Sequence, residues 1–300
     1  MRNLSGFSFA LAGFALLTCG DAVIKSMAGL WPATAIAALR FSIAAPLLAT
    51  IVVATQGASG LKPGQPWLQL GRGLSLAASS GFFFFSLFVL PLAEATAIVF
   101  VSPIITALLS AALLREPMGR YAWVATIAAL IGVALVLRPN LVETGSAAFL
   151  PIAAALFFAL MMIFNRLVAG SGSAVAMQFM IVAVAAPIMI LAATAAHYSG
   201  IAALKVEWPD PSVIVRCAIV AVTASLSHWL IFKGTTKSTA ADAAQAVYIQ
   251  LPVALVIDAA VFGKFPDTMA LAGSLLIVGA GLTMWRNQGR MLPGSRSPSA

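Results

Sequence analysis

The sequence predicts an all-α membrane protein with ten transmembrane helices, arranged as two inverted five-helix repeats. Three observations carry that expectation. Of the 300 residues, 61% are hydrophobic and only 9% are charged, against about 25% charged in soluble domains. So few charges cannot cover a water-facing surface, and a soluble enzyme is excluded. The chain also divides into ten apolar stretches punctuated by Gly, Pro and charge, and a helix crossing the hydrocarbon core needs about 20 such residues. Finally, the second half of the chain repeats the first.

The expected spans are 5–27, 33–55, 68–90, 92–114, 120–138, 146–167, 173–198, 211–233, 240–262 and 267–285. The first has features of a signal peptide, because Met1-Arg2-Asn3 precedes an apolar run and Leu17-Thr18-Cys19 hints at a lipoprotein site. That run continues to Met27 and no small residue precedes Cys19, so the segment reads as a retained span. Residues from Asn287 to Ala300 are polar, with Pro, Gly and Ser, and read as a disordered tail. The expected units are thus 1–140, 141–286 and the tail 287–300.

The duplication is visible as a fixed offset. A shift of 141 places Ser5 on Ser146, Lys25 on Arg166, Ala28-Gly29 on Ala169-Gly170, and Ala44-Ala45-Pro46 on Ala185-Ala186-Pro187. A shift of 149 places Pro103 on Pro252 and Pro117 on Pro266. Five spans per repeat is an odd number, so the second repeat enters the membrane from the opposite side. Inverted repeats recur in secondary transporters, whose substrate site lies near the midplane between them.

Charge sets orientation. With a cytoplasmic N-terminus, Arg2, Lys62, Arg72, Arg115, Arg120, Arg166, Lys233, Lys237, Arg286, Arg290 and Arg296 fall on one side. Lys25, Arg138, Lys205, Arg216 and Lys264 fall on the other, with Arg40 inside a span. The positive-inside rule therefore places both termini in the cytoplasm. The net charge of +8 comes from cations scattered singly rather than in a stripe, which argues against nucleic acid as a partner. Cys19 and Cys217 sit in apolar runs and read as small buried hydrophobes. Two histidines, His197 and His228, without a CxxC pair, point to no metal site and no cofactor.

The segment Ala93-Glu94-Ala95-Thr96-Ala97-Ile98-Val99-Phe100-Val101-Ser102-Pro103, then Leu114-Arg115-Glu116-Pro117 and Ile131-Gly132-Val133, resembles the span 4–5 signature of the drug/metabolite transporter superfamily, EamA family. Arg40-Phe41 and Lys25 occupy places that this family fills with the same residue types. The likeness covers essentially the whole chain. It departs at Gly263-Lys264-Phe265, where a Gly-Glu pair is common. The resemblance implies a ten-helix inner-membrane carrier around a central cavity lined by spans 1, 3, 4, 6, 8 and 9. It also implies export of small metabolites, amino acids foremost, and no enzymatic activity. No motif separates the YddG-like amino-acid exporters from other branches, so a nucleoside, S-adenosylmethionine or a drug-like solute stays open as cargo. A membrane-embedded enzyme would need clustered His, Asp or Cys on facing helices, which the sequence lacks. The expected partners are a small-molecule substrate and membrane lipid, the chain being a monomer or a weak homo-oligomer.

Polar groups inside hydrocarbon are costly and usually face protein or a wet cavity. Asp21, Arg40 and Asp258 lie well inside spans. Asp21 and Arg40 flank the first turn at equal depth, about 14 Å along each helix at 1.5 Å per residue, with Lys25 one turn from Asp21. This set is read either as a hairpin clamp or as a gate, with proton coupling and uniport both open. Pro103 and Pro252 sit mid-span and are candidate hinges, since proline removes a backbone donor and strikes the carbonyl four residues earlier. Candidate substrate contacts are Ser79 and Phe83 on span 3, Met161 and Asn165 on span 6, Ser225 and His228 on span 8, and Gln245 and Tyr248 on span 9. Phe100 of span 4 completes the set. Together these supply hydrogen-bonding groups within aromatic and thioether walls, as a small zwitterion requires. His228 is also a candidate proton shuttle.

Overall fold

A computed structural model describes residues 5–90, 92–115, 119–137, 145–262 and 268–287, and their regular structure is entirely helical. The helices are α1 (Ser5–Lys25), α2 (Ala33–Gln56), α3 (Pro66–Val89), α4 (Leu92–Val99), α5 (Ser102–Leu109) and α6 (Arg120–Leu137). They continue as α7 (Phe149–Leu167), α8 (Ala174–His197), α9 (Pro211–Lys237), α10 (Ala240–Gln245), α11 (Gln250–Phe262) and α12 (Thr268–Asn287). Among the described residues, seven helical segments are long and apolar enough to cross a membrane: α1, α2, α3, α7, α8, α9 and the stretch Ala243–Val261. Three shorter apolar segments accompany them, Ser102–Leu114, Trp123–Gly132 and Leu271–Ala280. The chain is therefore a multi-pass membrane protein. The motif residues Glu116-Pro117 and Gly263-Lys264-Phe265, and the tail from residue 288, lie outside the described residues.

Local chemistry sets the helix ends. Ser173 caps α8, its Oγ accepting the Ala176 N–H at 3.1 Å. Asp210 caps α9, its carboxylate accepting the Ser212 N–H at 2.7 Å. Hydrogen bonds from the Ser212 side chain and backbone hold this Asp below the usual carboxylate range. The turns after α1 and α7 each place a glycine in the left-handed region, Gly29 at φ +80° and Gly170 at φ +86°, where a side chain is strained.

Packing is pairwise: α1 lies along α9, α2 along α8, α3 along α7 and α6 along α12. Small residues bring these backbones together, as expected where lipid gives no hydrophobic drive between helices. A Cβ on Gly13 would meet the Ser227 carbonyl and Ile231 Cγ1, both at 2.8 Å, and one on Gly132 would meet the Gly273 carbonyl at 2.7 Å. Overpacking of this kind costs about 1–3 kcal/mol. Gly13→Leu should therefore lower the unfolding temperature in detergent, whereas Gly29→Ala, which meets no neighbour within 4 Å, should act only through its backbone angle. A wild-type melting profile for Gly13→Leu would contradict the close α1–α9 contact.

The two segments expected as single spans at 92–114 and 240–262 are each interrupted. α4 ends at Val99 and α5 begins at Ser102, followed by a π-turn over Ser110–Leu114. α10 and α11 are joined by a 3-10 turn, Ala246–Ile249. The cause is the matched prolines. Pro103 is the second residue of α5 and Pro252 the third of α11, so the carbonyls they displace belong to Val99 and Tyr248, within the interruptions themselves.

Candidate functional site

The interrupted helices border a cavity of about 70 Å³. α1 contributes Phe14, Leu17 and Asp21, α2 contributes Arg40, and α3 contributes Ser79, Ser80, Phe83 and Phe84 among others. Thr96 and Val99 come from the end of α4, Ala154 and Phe158 from α7, His228 from α9, and Val247 and Gln250 from the α10–α11 junction. All six expected segments thus reach the cavity, and α2 joins them through Arg40.

Opposite charges face this space. Arg40 is 4% exposed and Asp21 is 9% exposed. The Arg40 guanidinium stacks 4.2 Å from the Phe41 ring centre and 4.9 Å from that of Phe84. Its Nη2 donates to Ser80 Oγ at 3.0 Å, and its Nε has no partner. The equal depth read from the hairpin brings Asp21 and Arg40 to one cavity, yet among the described residues no ion pair joins them. The pair is therefore not a closed clamp in this conformation. Lys25 lies apart, its Nζ donating to the Leu87 carbonyl at 2.9 Å and the Leu90 carbonyl at 3.5 Å, where it caps α3. The side chains of Asp258 and Asp242 lie outside the described residues.

Among the expected substrate contacts, Ser79, Phe83 and His228 line the cavity. Ser79 Oγ is committed to the Ala154 carbonyl at 3.0 Å. Ser225 lines an adjoining chamber of about 10 Å³ shared with Arg40, Gln178 and His228. Met161 is buried in the core. Phe100 and Tyr248 pack edge-on at 5.5 Å, and Tyr248 Oη donates to the Phe100 carbonyl at 3.4 Å. Gln245 is buried beside them at the end of α10.

Asn165 belongs to a second polar cluster. Arg72, 1% exposed, donates from Nε to Asn165 Oδ1 at 2.8 Å, and from Nη1 to Gln69 Oε1 at 2.7 Å and the Met177 carbonyl at 3.0 Å. Its guanidinium lies 5.0 Å from the Phe232 ring centre. One cation thereby fastens α3 to α7, α8 and α9. Sequence reasoning counted Arg72 only as a topological charge, and missed Thr96, Gln250 and Ser80 at the cavity.

A membrane cavity at two broken helices, with buried opposite charges, is the arrangement of a solute carrier. Residues 4–138 match the EamA-like transporter family. The chain is 26% identical over 279 residues to an S-adenosylmethionine uptake transporter of Rickettsia bellii (strain RML369-C), covering 92% of each chain. It is 25% identical to that of Rickettsia prowazekii (strain Madrid E), covering 93% of this chain and 92% of the relative. A riboflavin transporter of Vibrio cholerae serotype O1 (strain ATCC 39315 / El Tor Inaba N16961) is 25% identical over 66% of this chain and 64% of its own. A crystal structure 17% identical in sequence shares the fold over 96% of this chain and 98% of its own, with a TM-score of 0.77.

Proposed function

We propose that this EamA-like protein is an inner-membrane secondary carrier for a zwitterionic metabolite, with S-adenosylmethionine the leading substrate and uptake the leading direction. The observation that carries this reading is the separated pair Asp21 and Arg40 on one cavity. A substrate carboxylate pairs with the Arg40 guanidinium, which still has a free Nε–H. An ammonium or sulfonium group pairs with Asp21. Phe14, Phe83 and Phe158 supply aromatic faces for an adenine-like body. The relatives named as S-adenosylmethionine transporters support that choice.

Alternating access is the mechanism. Drug-sized ligands fill pockets of about 300–1,000 Å³, several times the cavity seen here, so the lining helices must part to admit substrate. Two inverted repeats of five helices supply the symmetry. Exchanging the repeats turns the α1–α9 pair into the α7–α3 pair and maps the α2–α8 and α6–α12 pairs onto themselves. The left-handed turns at Gly29 and Gly170 and the breaks ahead of Pro103 and Pro252 support the same duplication. The Lys and Arg asymmetry supports a cytoplasmic side for both termini.

The sequence-based expectation, export of aromatic or other apolar amino acids, remains the second reading. The small cavity favours it, and its substrates carry the same charged head. Purified protein in liposomes, given labelled S-adenosylmethionine, a panel of amino acids and riboflavin with and without a pH gradient, separates the two. Saturable S-adenosylmethionine flux exceeding every amino acid is the expected result. Flux of amino acids alone supports the second reading, and flux of uncharged riboflavin alone would remove the zwitterion site. A gradient-dependent rate would assign proton coupling.

A further inference from the structure

A second cavity, of about 290 Å³, opens on the lipid-facing side of the bundle between α2, α8 and α9. Its walls are almost wholly apolar: Leu47 and Ile51 from α2, and Val222 and Leu226 from α9, all exposed at the protein surface. Trp229 completes the α9 wall. The groove lies near one end of the bundle. Its α2 residues are a few residues from that helix's end at Gln56, and its α8 residues follow the cap at Ser173. Ser173 Oγ and Gln56 Oε1 are 2.8 Å apart and tie those two ends together.

The face of α9 that walls the groove carries cations next. At helical spacing Val222, Leu226 and Trp229 are followed by Lys233 and Lys237, which stand about 6 and 12 Å beyond Trp229 along the axis. Lys233 Nζ lies 3.9 Å from the Trp229 ring centre, and Lys237 Nζ lies 4.9 Å from that of Phe9. Among the described residues neither lysine is in an ion pair. Two polar groups in the groove also lack partners. Trp229 Nε1 has no acceptor, and Gln178, 2% exposed, has neither its amide nitrogen nor its amide oxygen bonded.

We propose that this groove is a specific site for an anionic phospholipid. One acyl chain fills the channel between α2 and α9, the ester oxygens meet the Trp229 and Gln178 donors, and the phosphate sits on Lys233 and Lys237. Each part of the surface matches a part of such a lipid, in order along the membrane normal: hydrocarbon, interface aromatic, cation. A zwitterionic lipid would fill the same channel but gain less from two unpaired lysines. Because Gln178 and Arg40 share the adjoining chamber, the lipid supports the wall behind Arg40. The site rests on membrane embedding alone and stands whichever substrate is carried.

Full-length protein in detergent, titrated separately with phosphatidylglycerol and phosphatidylcholine and read by native mass spectrometry, tests this. Wild type should retain one phosphatidylglycerol at roughly thirtyfold lower lipid concentration, about the difference that two interfacial lysines supply. Lys233→Gln with Lys237→Gln should erase that preference, and Val222→Trp should reduce retention of both lipids. Lys62→Gln, on an exposed loop, should change nothing. Equal retention of the two lipids by wild type would assign the groove to bare hydrocarbon and overturn the proposal. So would a preference that survives the double lysine change, or one lost equally in Lys62→Gln.

Discussion

Replacing Arg40 by glutamine should lower substrate affinity by roughly 10- to 150-fold while leaving the protein folded. A hydrogen bond to a charged group is worth about 1.5–3 kcal/mol, and about 1.4 kcal/mol is a factor of ten in affinity. Glutamine keeps a donor for Ser80 Oγ, which Arg40 Nη2 now contacts at 3.0 Å, and can still lie against Phe41 and Phe84. The loss therefore falls on whatever occupies the cavity. Arg40→Lys should recover part of it, because the charge stays but the planar fork that matches a carboxylate is gone. Asp21→Asn should weaken the same substrates through their cationic group. Concentration-dependent uptake into proteoliposomes reads all three variants, with unfolding temperature as the control. Affinity within about twofold of wild type for Arg40→Gln would remove Arg40 from the substrate site.

Arg72 should behave in the opposite way, acting on stability before affinity. Arg72→Met leaves Asn165 Oδ1 and Gln69 Oε1 without the donor they now share, while the Met177 carbonyl keeps its helical bond within α8. Each buried acceptor left unsatisfied costs about 1–3 kcal/mol. Relief from burying a guanidinium offsets part of that. The net loss should be about 2–4 kcal/mol, a fall in melting temperature of roughly 5–10 °C for a chain of this size. Asn165→Ala removes one acceptor and should cost less. The pair also decides the role of Asn165. A structural partner of Arg72 changes the melting temperature, whereas a substrate contact changes the apparent affinity at constant stability. A melting temperature for Arg72→Met within about 1 °C of wild type would remove the four-helix knot as a source of stability.

The membrane setting and most helix positions were legible in the sequence, because an apolar run of about 20 residues has few alternatives. Asp21 and Arg40 were legible as a pair at one depth, since a tight turn between two helices fixes their relative height. Span 9 shows where such reasoning stops. Gln245, Tyr248 and Pro252 share a face only if the helix turns by about 100° per residue throughout. The turn Ala246–Ile249 is 3-10, with about 120° per residue. Over four residues the phase slips by roughly 80°, and Val247 and Gln250 reach the cavity in their place. The prolines signalled that a break was due, but not which geometry would fill it. Arg72 was misread for another reason. Its position near a span end made it a routine loop cation, and only the tertiary fold shows three neutral acceptors from three elements closing around it. The run Phe82 to Phe85 divides likewise: Phe83 and Phe84 face the cavity, while Phe82 is surface-exposed and stacks on Phe157 at 5.9 Å.

The hydrogen bond from Tyr248 to the Phe100 carbonyl joins the two interruptions to each other. A broken helix in hydrocarbon strands backbone oxygens that need a donor, and here the donor for one break is a side chain rooted in the other. Moving either kink away from the other breaks this bond and leaves the Phe100 carbonyl without that donor. The two breaks are therefore mechanically tied: the backbone geometry at the α4–α5 break and that at the α10–α11 junction hold each other across the centre of the bundle.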